Sequence, residues 1–259
     1  MTHVAVVMPA FNEADALREF VPEVVRAVRR VADRVSVVVV DDASADGTAD
    51  AVRELDLPAG VTVAAIRNDE NLGHGPSALR AYAAGYSTGA EWIVHVDGDG
   101  QFLGEDVAAV VAQLAFEPAA RGVRRHRRDP WYRKAATLVV MLGASALAGG
   151  RIPDVNTPLR AYRRPVLGRL LAATDAMALV PHVHFSILER TWRLGVGKVR
   201  VRHVARRGRS AEGSMWGGGA VAPKLPPRRL LVFIGRAAVE VWHFRVRRAA
   251  PRPVPLPED

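Results

Sequence analysis

The sequence has no cysteine, only three lysines among its 36 basic residues, and few aromatic side chains. The absence of cysteine excludes disulfides and thiolate metal sites, so a bound metal must be held by carboxylate, amide, imidazole or phosphate groups. Oxygen ligands indicate a hard ion, either Mg2+ or Mn2+. Because aromatic residues are sparse in the basic stretches and no recognised nucleic-acid motif is present, we expect no nucleic-acid partner.

Long apolar runs are also missing. Residues 4–8 form a short apolar stretch that lacks a basic lead and passes directly into a polar motif, which is not typical of a signal peptide. The longest later run, residues 135–150, is shorter than the roughly 20 residues that a transmembrane helix needs. We therefore expect no leader, no transmembrane helix and a cytoplasmic location.

Basic residues are scarce in the first half of the chain, and acidic residues are scarce in the second half. Residues 1–106 hold eight arginines against 18 acidic residues, a net charge of −10, whereas residues 107–259 hold 28 basic and 9 acidic residues, a net charge of +19. A basic half is typical of proteins that meet nucleic acid, an anionic membrane or phosphorylated ligands. With 259 residues and 49% hydrophobic content, the chain suits one large α/β domain or two very small ones.

Short apolar runs alternate with segments of helical periodicity along the first half. The runs are nearly continuous and rich in β-branched residues, which predicts a parallel sheet covered on both faces. Ser44 or Asp46 is expected to cap the second helix. The predicted strands are 4–8, 35–40, 61–66, 92–96 and, later, 198–204. The predicted helices are 13–31, a short one ending at 55, 75–85, 105–116 and 183–194.

Each of the first four predicted strands ends in a polar motif, in chain order PAFNE, DDASADGT, RNDENLGHG and DGDGQ. In parallel sheets, ligands bind beyond the carboxyl ends of the strands. Asp97 and Asp99 repel each other unless a cation joins them, and a divalent ion there would bridge a nucleoside diphosphate. An isolated D-x-D is also consistent with a solvated turn. Glu13 and Asp42, at the ends of neighbouring strands, add acceptors for a base or ribose.

Taken together, PAFNE, VVDDASADGT, NLGHGPSALRAYAAG and DGDGQ resemble the donor domain of the family-2 glycosyltransferases. Within that family the likeness is greatest to the dolichyl- and polyprenyl-phosphate sugar synthases, such as dolichol-phosphate mannose synthase, whose metal motif is D-x-D-x-Q. Gln101 is the last residue of that motif here. The resemblance implies a GT-A fold, which is an α/β, Rossmann-like, mostly parallel sheet flanked by helices, followed by a basic C-terminal acceptor region.

The resemblance also assigns residues to the donor site. It implies that Asp97, Asp99 and Gln101 surround Mg2+ or Mn2+, with Asp99 also catalytic. Phe11 stands where the family often has tyrosine, so the stacking surface is kept and a hydroxyl is lost. Residues 203–210 resemble a family segment, H-x-x-R-x-G-x-S, that closes over the diphosphate. The implied nucleotide-sugar contacts are Pro9, Phe11, Glu13, Val40, Asp42, Asp97, Gly98, Arg206 and Arg207.

The second half matches the same synthases less tightly. The matching features are G-x-R around Arg124, R-D-P at 128–130, Arg133 with Thr137 four residues on, and DVNTPLR. The resemblance implies that an arginine cluster holds the acceptor phosphate, because planar guanidinium groups suit phosphate oxygens. The matching candidates are Arg124, Arg127 and Arg133, of which Arg124 and Arg133 are expected to act in catalysis.

A sugar-hydroxyl acceptor would need a general base, whereas a phosphate acceptor is already ionised at neutral pH. Asp154 is the best candidate for such a base, and the alternative interpretation is a helix cap or a partner for an arginine. The lack of another obvious base favours a phosphate acceptor. His182 and His184 suggest a metal pair, but Pro181 and the apolar helical context favour a role in the core.

These features predict an inverting, metal-dependent hexosyltransferase that moves a sugar from a nucleotide diphosphate sugar to polyprenyl phosphate or a similar phosphorylated lipid, in peripheral contact with the inner face of the cell membrane. The alternatives are a soluble glycosyltransferase with a small-molecule or cell-wall acceptor, and a non-catalytic protein that binds sugar nucleotides or nucleic acid. The base, the sugar, the exact acceptor and the oligomeric state stay open. The predicted divisions are a donor half (1–110), an acceptor half of the same domain (111–220), a basic amphipathic helix (221–248) and a disordered tail (249–259).

Overall fold

The computed structural model describes residues 1–125, 140–208 and 228–244. Several predicted features lie outside the described residues: Arg127, R-D-P at 128–130, Arg133, Thr137, Ser210, residues 221–227 and 245–248 of the amphipathic helix and the tail 249–259.

The described residues form a seven-stranded sheet in the order β3-β2-β1-β4-β6-β5-β7. All neighbouring strands pair in parallel except β6, which runs antiparallel to both β4 and β5. The predicted fold class is therefore confirmed. The strands are β1 His3–Ala10, β2 Arg34–Asp41, β3 Val61–Arg67, β4 Trp92–His95, β5 Ala119–Arg125, β6 Arg160–Arg163 and β7 Val196–Arg202.

Helices flank both faces of this sheet. The helix predicted at 105–116 ends in a 3-10 turn, Gln113–Ala115, and the other predicted helices begin and end within a few residues of their expected bounds. The helices are α1 Ala14–Val28, α2 Thr48–Arg53, α3 His74–Ser87, α4 Gly104–Ala112, α5 over residues 140–147, α6 Arg164–Ala172, α7 Pro181–Thr191 and α8 Arg228–Trp242.

Alternating side chains of β1 enter two separate cores. Val4 and Val6 pack with α1 and α4 on one face, and Ala5 and Val7 pack with α3, α6 and α7 on the other. All four side chains are fully buried. Burying one valine contributes about 1.5–3 kcal/mol, so a strand that is apolar on both faces is stable only in the middle of such a layered sheet.

Strands β5 and β6 were not predicted, because arginines interrupt their apolar pattern. Arg121 of β5 and Arg160 of β6 are nonetheless buried, and both pair with Glu189 of α7. The Tyr162 hydroxyl donates to the same carboxylate at 2.6 Å. A buried arginine is tolerated only with such a partner, whose removal typically costs about 3–5 kcal/mol. This partner is distant in sequence and is brought close only by the fold.

A third, smaller core joins α5, α7 and α8. Glu240 of α8 accepts hydrogen bonds from the backbone N–H groups of Leu179 (2.8 Å) and Val180 (3.2 Å), which precede α7. The rings of His184 and Phe244 stack with their centroids 4.0 Å apart. Among the described residues, no helix combines the length and the apolar character needed to cross a membrane.

Candidate active site

Most predicted site residues meet at one edge of the sheet. Because β1, β2, β4 and β5 run in the same direction, their carboxyl ends share this edge, and the loops that follow them carry Glu13, Asp42, Asp97 and Asp99. Arg124 lies at the end of β5 on the same edge. The parallel topology thus brings together motifs that are up to about a hundred residues apart in the chain.

The loops after β1 and β2 hold each other through side-chain to backbone hydrogen bonds. The Asn12 N–H donates to the Ser44 hydroxyl at 2.9 Å. The Asp46 carboxylate accepts from the first N–H groups of two helices, those of Ala14 in α1 and Thr48 in α2, each at 3.0 Å. The N-cap of α2 is Gly47, without a side-chain capping bond, so the prediction that Ser44 or Asp46 caps this helix was wrong. Asp46 instead ties the first turns of α1 and α2 together.

Asp42 joins the second motif to the third. One carboxylate oxygen accepts from Asn68 Nδ2 at 2.7 Å and from the Leu72 N–H at 2.8 Å, and the other accepts from the Gly73 N–H at 2.9 Å. The side chain is buried. In this structure Asp42 thus shapes the loop that leads into α3, and its contact with a base or ribose stays a prediction.

Pro9 and Val40 lie side by side in the paired strands β1 and β2, and both are buried beneath the site. The Pro9 carbonyl accepts a hydrogen bond from the Gly98 N–H at 3.2 Å. This bond fixes the D-x-D-x-Q loop against the end of β1. Phe11 is half-buried just beyond the end of that strand, so part of its ring remains available for the predicted stacking.

The acidic residues of the site carry oxygen atoms without hydrogen-bond donors. In the described structure, Asp97 Oδ1 and Glu13 Oε2 are buried and have no hydrogen-bond partner. Burial and the neighbouring Asp97 raise the pKa of Asp99 to about 6. Burial, followed by Asp99, raises the pKa of Glu13 well above its usual value. Such mutual repulsion between buried carboxylates is relieved by a cation.

These unpaired, mutually repelling carboxylate oxygens are of the kind that a divalent cation binds, and the roles of Asp97 and Asp99 as its ligands stay predictions. Within the described part of the chain, no three histidine, aspartate or glutamate side chains stand close enough to enclose an ion by themselves. A cation at this edge would need further oxygen ligands from a bound molecule, as is usual for ions that also bind substrate phosphates.

The segment after β7 returns to this edge and attaches to the acidic loop. The Val204 N–H donates to the Gln101 carbonyl at 3.0 Å. In return, Gln101 Nε2 donates to the Val204 carbonyl at 3.4 Å. The Arg207 N–H donates to the Asp99 carbonyl at 3.0 Å. The Gln101 backbone N–H donates to the Asp99 carboxylate at 3.1 Å. Gln101 thus links the acidic loop to residues 204–207, and its part in metal binding stays a prediction.

The two arginines proposed for the donor phosphate have different neighbours. Arg206 pairs with the Glu13 carboxylate, so its guanidinium lies beside the acidic residues. Arg207 instead pairs with Glu23 of α1 at 2.7 Å and lies over the Phe20 ring. Between two candidates that the sequence left equal, the structure brings Arg206 to the site.

Arg124 and Asp154 form a bidentate pair. The backbone N–H and Nε of Arg124 donate to Asp154 Oδ2 at 3.0 and 2.9 Å, and Nη2 donates to Oδ1 at 2.7 Å. The two side chains are only 9% and 8% exposed. Asp154 also has a φ of +44°, which is rare for a residue other than glycine. This geometry matches the alternative interpretation, in which Asp154 orients an arginine.

His74 was not singled out in the sequence, although it lies in the third motif. Its Nε2 is 3.8 Å from Asp97 Oδ1. Its ring meets the edge of His182, which in turn packs against the ring of His95 at a centroid distance of 4.7 Å. His182 and His184 have separate ring partners, so the structure does not join them as a metal pair, in line with their predicted role in the core.

Comparison with known proteins identifies the relatives of this chain. An undecaprenyl-phosphate 4-deoxy-4-formamido-L-arabinose transferase from Aeromonas hydrophila is 27% identical over 202 residues, which are 77% of this chain and 61% of that protein. The enzyme of the same name from Enterobacter is 28% identical over 206 residues, 78% of this chain and 60% of its own length. The chain thus spans about three fifths of these relatives.

Solved structures share the fold. Two crystal structures of glucosyl-3-phosphoglycerate synthase from Mycobacterium tuberculosis, in complex with Mn2+ and UDP-glucose and, in the second, also phosphoglyceric acid, match with TM-scores of 0.62 and 0.63. The matches cover all of this chain and 81% and 82% of those chains, at 18% identity. The sequence pattern of the family described as glycosyl transferase family 2 matches residues 5–171. The chain therefore belongs to glycosyl transferase family 2.

Proposed function

We propose that this chain is an inverting glycosyltransferase that moves a hexose from a nucleotide diphosphate sugar to polyprenyl phosphate or a similar phosphorylated lipid. The observation that carries the proposal is the set of buried carboxylates at the carboxyl edge of the sheet. Asp97 and Glu13 present oxygen atoms without donors there, beside Asp99 and Arg206. Because the chain belongs to glycosyl transferase family 2, the ligand that we propose for these groups is the nucleotide diphosphate sugar.

At the donor side, Asp97 and Asp99 would hold Mg2+ or Mn2+, which supplies charge neutralisation for the diphosphate that leaves as the sugar bond breaks. Arg206 would add a guanidinium contact to the same phosphates and exchange its present partner, Glu13, for them. Support for a divalent ion comes from the structural neighbours, which were crystallised in complex with Mn2+ and UDP-glucose.

At the acceptor side, the proposal needs a cationic group rather than a base. A phosphate acceptor is already ionised, so it has to be oriented and its charge balanced before its oxygen attacks the sugar carbon. Arg124 lies at the shared edge in an ion pair with Asp154, and it would supply this cation by exchanging part of that pair for the acceptor phosphate. The names of the relatives, which act on undecaprenyl phosphate, support an acceptor of this class.

Contact with a membrane is also part of the proposal. Leu231, Val232, Val239 and Trp242 are each more than half exposed on α8, and this helix carries Arg228, Arg229 and Arg236 as well. A helix with exposed apolar residues and arginines is suited to lie at the surface of an anionic bilayer. We propose that this surface is the inner face of the cell membrane.

A small phosphorylated acceptor is the second candidate. It is favoured by the structural neighbours, which are named glucosyl-3-phosphoglycerate synthase. A transfer assay with radiolabelled nucleotide sugar separates the two candidates. Label that moves into the organic phase with polyprenyl phosphate supports the lipid acceptor, and label that stays in water with a small phosphorylated acceptor supports the alternative.

The donor site is tested by thermal unfolding with a panel of UDP- and GDP-sugars, with Mn2+ or Mg2+ and with EDTA. We expect one nucleotide sugar to raise the Tm in the presence of metal and to have no effect after chelation. Asp99→Ala should abolish this response, whereas Asp56→Ala, at an exposed position, should retain it. If no nucleotide sugar stabilises the wild type, or if Asp99→Ala responds equally, the assignment of the donor site is wrong.

A further inference from the structure

A cavity of about 690 Å³ lies between α8 and the loop that joins α6 to α7. This volume is within the range of about 300–1,000 Å³ that is usual for small-molecule sites. One side of the cavity is a single stripe of α8, in which Val232, Gly235 and Val239 recur at helical spacing. The other side is formed by residues 177–179 of the loop, and the lining is mainly apolar. The cavity therefore suits an apolar ligand.

The two carboxylates in the lining are hydrogen-bonded to the backbone of the same loop. Glu240 accepts from the two N–H groups that precede α7, at 2.8 and 3.2 Å, and Asp175 accepts from the Met177 N–H at 2.9 Å. Arg236, which also lines the cavity, is exposed on α8. An apolar ligand with one anionic end matches this arrangement, because the carboxylates have donors of their own and the arginine is a cation for the anionic end.

The elements that line the cavity contact both sides of the proposed site. The backbone of residues 178–179 packs so closely on Gly75, at the start of α3, that an added Cβ there would lie 2.1 Å from a carbonyl oxygen. On the acceptor side, α8 packs in the third core together with Val155. Val155 follows Asp154, the partner of Arg124. The cavity is thus connected to the donor edge and to the segment that holds the proposed phosphate-binding arginine.

The membrane gives an isoprenoid chain a reason to enter this cavity. When the phosphate of a membrane-bound acceptor reaches the carboxyl edge of the sheet, the first units of its chain leave the bilayer with it, and their exposure to water is unfavourable. Val232 and Val239 line the cavity and also belong to the exposed surface of α8 that we propose to meet the bilayer. A chain that passes from the bilayer into the cavity therefore stays in contact with apolar side chains.

We infer that this cavity binds the part of the acceptor's isoprenoid chain nearest to the phosphate, and that it makes the enzyme select a lipid over a small phosphorylated acceptor. The inference rests on the proposed function and specifies how its acceptor is recognised. Burial of the chain against α8 and residues 177–179 adds affinity in proportion to the apolar area that leaves water. A small phosphorylated acceptor has no apolar chain and gains nothing from the cavity.

The test measures binding of farnesyl phosphate and of methyl phosphate by calorimetry, without membranes and without turnover. For the wild type we expect farnesyl phosphate to bind at least about tenfold more tightly than methyl phosphate. Gly235→Trp fills the cavity from α8, where nothing lies within 4 Å of the new Cβ and where glycine is a poor helix former. It should weaken binding of farnesyl phosphate about tenfold and leave methyl phosphate unchanged. Gly143→Trp, at an exposed glycine of α5 with equally free space, is the matched control.

A second variant tests the opposite wall of the cavity. Met177 is 53% exposed in the loop, so Met177→Asp should keep the fold, which thermal unfolding checks, and should also weaken binding of farnesyl phosphate about tenfold. Wild-type affinity in both variants would overturn the inference. Displacement of farnesyl phosphate by an equal concentration of dihexanoyl phosphatidylglycerol would overturn it as well, because the cavity would then hold a membrane lipid instead of the acceptor.

Transfer of sugar to polyprenyl phosphate distinguishes this inference from the proposed function. If the wild type transfers no sugar to polyprenyl phosphate, the proposed function fails. If the wild type and Gly235→Trp transfer sugar with the same KM for polyprenyl phosphate, the proposed function stands and the inference is wrong. We expect the KM of Gly235→Trp to rise about tenfold, in line with its weaker binding of the isoprenoid chain.

Discussion

Gly98 lies between the two aspartates of the D-x-D-x-Q motif, and its missing side chain leaves room for the Glu13 carboxylate. A Cβ there would lie 2.6 Å from Glu13 Oε2 and 3.2 Å from Ala10 Cβ and Leu17 Cδ2. The first contact is the far end of a side chain that can rotate, whereas the other two belong to the packed core. An added methyl group would therefore displace Glu13 before it disrupts the fold.

For Gly98→Ala we predict loss of donor binding with moderate loss of stability. Displacing Glu13 should weaken binding of the stabilising nucleotide sugar about tenfold, and overpacking should cost about 1–3 kcal/mol of unfolding free energy. Calorimetric titration and denaturant unfolding measure the two effects. Gly143→Ala lies in α5 with nothing within 4 Å of the new Cβ. It should leave donor binding unchanged and raise the unfolding free energy by no more than about 1 kcal/mol. Wild-type donor affinity in Gly98→Ala would show that Glu13 has no part in the site.

Asp154→Asn distinguishes a general base from an arginine partner. Asparagine tolerates the positive φ at this position and keeps one oxygen for Arg124, but it removes the charge. We predict that the KM for the acceptor rises about tenfold, since Arg124 loses its ion pair, while kcat falls by less than about tenfold. Loss of a general base would instead lower kcat by about 10²–10⁴. Steady-state kinetics with varied acceptor decide between the two outcomes.

At the scale of elements, α8 is attached to the rest of the chain through the start of α7. Glu240 places a carboxylate at the positive end of that helix and accepts two backbone N–H groups. The same stretch of backbone, at residues 178–179, packs against Gly75 at the start of α3. A continuous set of contacts therefore connects α8, through the start of α7, with the start of α3 at the carboxyl edge of the sheet.

We predict that Glu240→Ala loosens this attachment. Loss of a capping carboxylate should cost about 1–2 kcal/mol, which lowers the Tm by about 2–8 °C in a chain of this size. Calorimetry measures the change, and Glu19→Ala, an exposed glutamate on α1, serves as the control. Equal Tm values for Glu240→Ala and the wild type would show that these hydrogen bonds contribute little.

Elements differ in how well the sequence predicts them. Strands β1, β2 and β4 are recognised as continuous apolar runs, because both of their faces are buried. Helices α1 and α3 are recognised by their helical spacing of apolar residues, because one face of each is buried. In β5 and β6 two of the buried positions are occupied by Arg121 and Arg160. Their charge predicts surface positions, and their burial depends on the pairing with Glu189. No local sequence pattern predicts a buried ion pair, and these two strands were not predicted for that reason.

For the whole molecule, the uneven charge distribution bears most on membrane binding, at the place where basic residues lie next to exposed apolar side chains. The basic half carries α8, on which arginines and exposed apolar side chains lie together. The two contributions reinforce each other at an anionic bilayer, where each basic residue near the surface adds about 1 kcal/mol. Salt screens the electrostatic part and leaves the apolar part.

We predict that the chain co-sediments with vesicles that contain phosphatidylglycerol, and that added salt weakens the binding. The double variant Val232→Asp and Val239→Asp should bind at least about tenfold more weakly, because two apolar side chains no longer enter the bilayer. Phe116→Asp changes an exposed apolar residue at the opposite edge of the sheet and should bind like the wild type. Equal binding by the double variant would place the membrane contact elsewhere.

The sequence by itself determined the family, the alternating strands and helices, the order of the four polar motifs and the absence of thiolate chemistry. These features are local, since each depends on residues close together in the chain. Only the tertiary structure decided that Arg206 rather than Arg207 faces Glu13, that Asp154 clamps Arg124, and that His74 stands beside Asp97. Each of these pairings joins residues far apart in the chain, and side chains of the same type are equivalent until the fold gives them different neighbours.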